Sequence, residues 1–119
     1  MRVIIAGAGQ VGTRVAAALD ANHDIVMIDV NTDRIDRLRY DLDVLTVPGD
    51  SSTIETLREA GIKDADILIA STDSDEINII TCGTARALTD VTTVARVKNL
   101  KYIDTWDQAE NVFDVDCMA

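Results

Sequence analysis

Residues 3–12 of this chain read Val-Ile-Ile-Ala-Gly-Ala-Gly-Gln-Val-Gly, an apolar run followed at once by glycines in the pattern GxGxxG. Beyond Gly7, apolar residues recur at helical spacing, at Val11, Val15, Ala18 and Leu19. Where a strand runs into a helix in this way, each glycine has a mechanical purpose. The first permits a tight turn, Gly9 lets the backbone approach a pyrophosphate, and Gly12 lets the helix pack close to the sheet. The stretch predicts the first unit of a dinucleotide-binding fold, although a glycine turn without a ligand has the same local pattern.

The alternation of apolar runs with helical patterns continues along the chain. We predict six strands, at residues 3–6, 25–28, 44–47, 65–70, 92–97 and 112–115. Five helices lie between them, and the last four are expected to begin at polar capping residues, namely Asn31 or Thr32, Ser51 or Ser52, Ser74, and Asn99. Strands that alternate with helices through short connections predict the α/β class. Within it we predict a Rossmann fold, a doubly wound parallel sheet in three layers with strand order 3-2-1-4-5-6 and right-handed crossovers.

The composition supports one domain of this class. A chain of 119 residues accommodates a single hydrophobic core, so we assign residues 1–119 to one domain. Apolar residues make up 47% of the chain but aromatic residues only 3%, as expected for aliphatic strands covered by helices. No stretch approaches the roughly 20 apolar residues of a membrane span, and the N-terminus lacks a signal-peptide pattern. We therefore expect a cytosolic protein without membrane insertion.

The charge and the cysteine content exclude several classes of partner. The formal net charge of −10 would repel a phosphate backbone, so a nucleic-acid partner is not expected. Aspartate outnumbers glutamate by 17 to 4 and arginine outnumbers lysine by 8 to 3. This bias resembles that of halophilic proteins, with an ordinary acidic protein as the alternative. Cys82 and Cys117 are too few for a disulfide framework and lack the spacing of metal ligands, so no metal site is predicted.

Asp29 follows the second predicted strand, at the position where this fold places a carboxylate about 20 residues beyond the glycines. Such a carboxylate accepts hydrogen bonds from the hydroxyls of an adenosine ribose. Its charge would repel a 2′-phosphate, which favours NAD over NADP, although Arg34 could offset part of that repulsion. The alternative role of Asp29 is to cap the helix that follows.

Further polar residues follow the third, fourth and fifth strands, whose carboxyl ends share one edge of the predicted sheet. Asp50 and Ser51 are candidates for the adenine end of a ligand, and Thr72 and Asp73 lie beside the switch point between strands one and four. Helix capping explains these residues equally well. Arg96 interrupts the apolar fifth strand, where a buried charge requires an anionic partner. That partner is either a ligand phosphate or a carboxylate such as that of Asp73.

Taken in order, five motifs resemble one family over essentially the whole chain: GAGQVG, VMIDVN, VPGDSS, ILIASTDSDEIN and VARV. The family is that of the TrkA N-terminal domain, also called the KTN or RCK N-domain. Any single motif is shared by many Rossmann proteins. The most specific are Gly-Asp-Ser after the third strand and Thr-Asp-Ser-Asp-Glu-x-Asn after the fourth.

The resemblance implies a cytosolic dimer or ring that binds NAD, NADH or adenine nucleotides. It also implies a role in controlling an attached potassium channel or transporter at the inner face of the membrane. It assigns ligand contacts to the residues that match the family's motifs: Gly7, Ala8, Gly9, Gln10, Val11, Asp29, Thr72, Asp73 and Arg96. Some relatives carry a basic residue at position 10. The neutral Gln10 disfavours a triphosphate, so NAD(H) is the predicted ligand and ADP or ATP the alternative.

Members of this family usually continue into a C-terminal subdomain or a second copy of the unit, so this sequence is either a piece of a longer protein or a short member. Leu100, Ile103 and Trp106 recur about one turn apart on the last predicted helix, where they form a dimer stripe or pack on the sheet.

No catalytic residue is predicted, because His23 falls before strand two at the opposite edge of the sheet. The alternative to a sensor is the dinucleotide-binding half of an NAD-dependent dehydrogenase.

Overall fold

Six parallel strands form one sheet in a computed structural model that describes residues 1–19, 22–109 and 112–119. They are β1 (Arg2–Ala6), β2 (Asp24–Asp29), β3 (Leu45–Pro48), β4 (Ile67–Ala70), β5 (Thr92–Ala95) and β6 (Cys117–Met118). Their order is β3-β2-β1-β4-β5-β6, which confirms the predicted doubly wound sheet. The helices are α1 (Gln10–Leu19), α2 (Thr32–Asp41), α3 (Ile54–Glu59), α4 (Asp75–Leu88) and α5 (Leu100–Gln108), with a 3-10 helix at Ile62–Asp64. Within the described ranges, no helix has the length and apolar composition to cross a bilayer.

Each face of the sheet carries its own hydrophobic core, because alternate residues of a strand point to opposite sides. Val3 and Ile5 of β1 pack on one face with Ala16 of α1 and Leu38 of α2. Ile4 lies in a second cluster on the other face, together with buried residues of α3 and α4 and partly buried residues of α5. The predicted three layers, helices, sheet and helices, are therefore confirmed.

Three of the predicted helix caps are confirmed by side chains that accept backbone amides at the first turn: Asn31, Ser74 and Asn99. The prediction that Ser51 or Ser52 caps the third helix is wrong, because Thr53 occupies the cap position. Both serines have other partners. The buried Ser51 shares a hydrogen bond of 2.9 Å with the Thr81 hydroxyl, and Ser52 donates its amide and its hydroxyl to Asp50.

The prediction of the sixth strand at residues 112–115 is wrong, because β6 is the two-residue strand Cys117–Met118. In the predicted segment Val115 is buried, and its carbonyl accepts a hydrogen bond of 2.9 Å from Trp106 Nε1. The segment is thus held by α5, and pairing with β5 begins only where Cys117 lies opposite Val94. The other five strands begin and end within two residues of their predicted limits.

The apolar residues of α5 pack on the sheet rather than forming a continuous free stripe. Ile103 and Trp106 are partly buried against the core cluster of that face. Leu100 is 78% exposed, so it is the member of the predicted stripe that remains available for a contact with another subunit.

The two cysteines have opposite environments and should differ in reactivity. Cys82 on α4 is fully buried, and burial raises the pKa of its thiol to about 12, whereas Cys117 is exposed. Because the thiolate is the reactive form, we expect Ellman's reagent at about pH 8 to modify one thiol per folded chain and the second only after denaturation. Cys117→Ser should abolish the reaction of the folded protein. Rapid labelling of both thiols in the native state would contradict the burial of Cys82.

Candidate functional site

A cavity of about 310 Å³ opens where the loops after β1, β2, β3 and β4 meet. The strand order reverses between β1 and β4, so the cavity lies at the topological switch point, where doubly wound sheets bind their ligands. Its lining includes seven of the residues predicted as ligand contacts: Gly7, Gly9, Asp29, Asp50, Ser51, Thr72 and Asp73. The lining does not include the other four, Ala8, Gln10, Val11 and Arg96.

The glycine loop is shaped by close contacts at two of its three glycines. Gly7 has φ +103°, and a Cβ there would lie 2.8 Å from the Thr72 amide nitrogen. At Gly12 a Cβ would collide with the carbonyl oxygen of Gly7. At Gly9 the one described atom that a Cβ would meet within 4 Å is Arg34 Nη1, at 3.8 Å. The fold therefore requires glycine at positions 7 and 12. At position 9 the packing would tolerate a small side chain.

Asp29 ties the glycine loop to the start of the second helical unit. The residue is 8% exposed; Oδ2 accepts the Ala8 amide at 2.7 Å and Oδ1 accepts the Asn31 amide at 2.8 Å. Arg34 Nη1 lies 3.7 Å from Oδ2. The alternative role of Asp29 as a helix cap does not apply, because Asn31 is the residue that caps α2. Its predicted contact with a ribose remains a prediction.

Asp50 presents a stabilised carboxylate to the cavity from the loop after β3. Ser52 donates its hydroxyl to Asp50 Oδ1 at 2.6 Å and its amide to the same oxygen at 2.9 Å. These bonds, the hydroxyl first, lower the pKa of Asp50 below its usual value. Asp50 therefore stays ionised at neutral pH and can accept hydrogen bonds from a ligand.

Thr72 is held in place by Asn78, a residue that the sequence analysis did not assign. Asn78 Oδ1 accepts the Thr72 amide at 2.9 Å and the Thr72 hydroxyl at 2.6 Å. Asn78 Nδ2 donates to the carbonyls of Thr72 and Arg96, at 3.1 and 2.8 Å. The Asn78 side chain is fully buried, so it acts as a clamp between the loop after β4 and the end of β5. Its position in the Thr-Asp-Ser-Asp-Glu-x-Asn motif is the one signal that could have identified it.

Arg96 lies just beyond β5 rather than inside it, because that strand ends at Ala95. Its side chain is 30% exposed, and its Nη1 is 4.0 Å from Asp73 Oδ1, while the Asp73 side chain is 82% exposed. The expectation of a charge buried in the strand is therefore wrong, although the carboxylate named as one of its two partners is the one observed. A loose, exposed pair of this kind contributes little stability, which leaves both side chains free to reorganise around a ligand.

Gln10 and Val11 begin α1 and are exposed beside the glycine loop. The first turn of a helix has no internal partners for its amides, so these residues present backbone donors at that point. Ala8 is buried, and its amide is bonded to Asp29. The amides of Gln10 and Val11 are thus the backbone donors that a phosphate could use, whereas the Ala8 amide is already engaged by Asp29.

The fold and the crevice define the class of protein: a Rossmann domain with a glycine loop after β1, a carboxylate at the end of β2 and a cavity at the switch point. The model of the TrkA-N domain family matches residues 3–114, and the chain belongs to this family. The resemblance seen in the five sequence motifs is confirmed.

The chain is similar to the Trk system potassium uptake protein TrkA of Halomonas elongata, with 44% identity over 105 residues, which cover 87% of this chain and 23% of the relative. It spans about a quarter of the length of the curated relatives that it matches. The solved TrkA-N domain of the inner membrane protein YbaL from Escherichia coli has a TM-score of 0.85 at 21% identity, covering 99% of this chain and 85% of that one. The GsuK channel bound to NAD has a TM-score of 0.84 at 22% identity, covering 99% of this chain and 21% of that one.

Proposed function

We propose that this domain is the nucleotide-sensing part of a Trk- or Ktr-type potassium transport system and that it binds NAD or NADH to control potassium uptake. The observation that carries the proposal is the hydrogen bond of 2.7 Å from the Ala8 amide to Asp29. It holds a buried carboxylate, suited to ribose hydroxyls, directly against the loop that would receive the pyrophosphate. Support also comes from membership of the TrkA-N family, from the TrkA relative and from the fold shared with the NAD-bound GsuK channel.

The residues present suit a dinucleotide. Gly9 leaves room for the close approach of a phosphate, and the unpaired amides at the start of α1 favour an anion there. Asp29 would accept the ribose hydroxyls, and Asp50 lies where the adenosine end would pass. The nicotinamide half would extend past Thr72 and Asp73 towards Arg96. Gln10 offers no charge to a triphosphate, which makes NAD(H) the first choice and ADP or ATP the second.

The proposed role is regulatory, and the bound nucleotide acts by favouring one arrangement of subunits over another. A ligand that contacts the loops after β1, β2 and β4 together would fix their relative positions. The Asn78 clamp connects the cavity to α4 and to the end of β5, so a contact at Thr72 is transmitted to that helix. In a homodimer or larger ring on the inner face of the membrane, this change would reach the attached potassium channel or transporter subunit.

A binding role is proposed in preference to a catalytic one. A dehydrogenase needs a proton-handling group beside the nicotinamide, usually supplied with a substrate pocket by a further domain. His23, the only histidine, lines a separate groove at the amino ends of β1, β2 and β3, on the edge of the sheet opposite the cavity. We further propose that residues 1–119 form a single nucleotide-binding domain.

Calorimetric titration of the purified domain tests the proposal, with NAD, NADH, ADP, ATP and NADP compared in the same molar-salt buffer. We expect NAD or NADH to bind more tightly than NADP, because Asp29 opposes a 2′-phosphate. A difference between NAD and NADH would indicate redox sensing. Tighter binding of ADP or ATP would replace NAD(H) by an adenine nucleotide as the ligand, and a folded domain that binds none of the five would refute the proposal.

A further inference from the structure

A second groove lies on the other side of the glycine loop, between α1 and α2, with a volume of about 440 Å³. Three of the chain's eight arginines line it, Arg14 from α1 and Arg34 and Arg37 from α2. Among the residues that the structure describes, Asp41 is the one acidic residue in its lining. The concentration of positive charge is unusual in a chain with a net charge of −10 and only eleven basic residues.

Two of these arginines are available for a ligand. Within residues 1–19, 22–109 and 112–119, no carboxylate lies within 4.0 Å of the guanidinium groups of Arg14 or Arg37. Arg37 and Asp41 are one helical turn apart but do not form an ion pair. Three guanidinium groups around one groove, with backbone and Gln10 donors beside them, form a site suited to a phosphate dianion.

Arg34 and Gly9 line both the groove and the cavity at the switch point, so the two spaces adjoin. Arg34 Nη1 is 3.7 Å from Asp29 Oδ2, the oxygen that also accepts the Ala8 amide. A ribose bound at Asp29 would therefore sit at the border between the two spaces. A substituent on its 2′-oxygen would reach the arginines without entering the adenine end of the cavity.

We propose that the groove formed by Arg14, Arg34 and Arg37 is a subsite for the 2′-phosphate of a nucleotide. The inference rests on the proposed function and deepens it, because it concerns the same bound ribose. Asp29 alone would reject a 2′-phosphate strongly, but its charge is already shared by two backbone amides and Arg34. The arginines reduce the remaining repulsion, so NADP(H) binds within about tenfold of NAD(H) rather than being excluded.

The test compares the affinities for NAD and NADP in the folded wild-type domain and in the double variant Arg14→Gln/Arg37→Gln, at the lowest salt concentration that keeps both folded. We expect the ratio of NAD to NADP affinity to rise at least about tenfold in the variant, because only NADP carries the 2′-phosphate. The matched control is Arg58→Gln/Lys101→Gln, which removes the same charge from α3 and α5 on the other face of the sheet. It should leave the ratio within about twofold of wild type.

Each alternative result has a distinct meaning. If NAD binds but the ratio is the same in the arginine variant and in the control, the subsite is refuted while the proposed function stands. If neither dinucleotide binds the folded wild type, the proposed function fails and the subsite with it. The second arm of the test measures the binding of inorganic phosphate and of adenosine 2′,5′-bisphosphate to the same proteins. Arginine-dependent binding of inorganic phosphate that does not compete with NADP would assign the groove to a separate anion and overturn the proposal.

Discussion

Asp29→Ala should weaken the binding of NAD(H) by about ten- to a hundredfold, the loss expected for charge-assisted hydrogen bonds to a ribose. In the folded domain the Ala8 and Asn31 amides each take one lone pair of the carboxylate. A carboxylate has about four acceptor sites, so each oxygen retains one for a ribose hydroxyl. Titration calorimetry of the variant against NAD and NADH measures the loss.

Because Asp29 also joins two loops, its role in binding has to be separated from its role in the fold. Asp29→Asn keeps the size of the side chain and one carbonyl acceptor, so it should retain more stability than the alanine variant while still losing about tenfold in affinity. Asp24→Ala removes the same charge from the exposed start of the same strand, and its affinity should stay within about twofold of wild type. A folded Asp29→Ala variant with wild-type affinity would remove Asp29 from the site.

Apolar periodicity predicts the inner strands well because each is flanked by helices whose own patterns are clear. The order of the strands then follows from the glycine loop after the first strand and the carboxylate after the second, which are typical of the doubly wound order 3-2-1-4-5-6. The edge strand is different. β6 has two residues, and its position depends on the contact between Trp106 and Val115, which joins a helix to the segment before the strand. No local pattern in the sequence encodes that contact, so the prediction at residues 112–115 follows the apolar residues and misses the pairing.

The same distinction applies to the cavity. The glycines and Asp29 are predictable because the fold needs residues without a side chain at the turn after β1 and a carboxylate at the end of β2. Asn78 is not predictable in this way, since its amide can serve many roles and one of its partners is the backbone carbonyl of Arg96, 18 residues away in the chain. For Arg96 the sequence left two partners open. The structure shows Asp73 at 4.0 Å, and a ligand phosphate remains a prediction.

Gly12→Ala should cost about 3 kcal/mol or more in the free energy of unfolding, the upper end of the range for substitutions that overfill a packed site. The new methyl group would collide with the Gly7 carbonyl oxygen and lie 3.0 Å from Ser71 Oγ. Since the obstacle is backbone at the tight turn, the start of α1 has to move away from the sheet. Denaturant unfolding at fixed salt measures the cost. Gly83→Ala is the matched control, because a Cβ in this part of α4 meets no described residue within 4 Å. This substitution should leave stability unchanged or raise it by about 1 kcal/mol.

Gly9→Ala, unlike Gly12→Ala, should affect binding more than stability. We expect its stability to stay within about 1 kcal/mol of wild type and its NAD(H) affinity to fall more than about tenfold. The methyl group has space in the free domain, since its one close neighbour among the described residues is Arg34 Nη1 at 3.8 Å, the far end of a flexible side chain. That space is where a pyrophosphate would approach the backbone, so the substitution blocks the ligand and spares the fold. The two glycines belong to one motif but would then have different roles, Gly12 in stability and Gly9 in nucleotide binding. Wild-type affinity in Gly9→Ala would show that the open space serves neither the packing nor the nucleotide, and would leave the glycine loop as a structural turn.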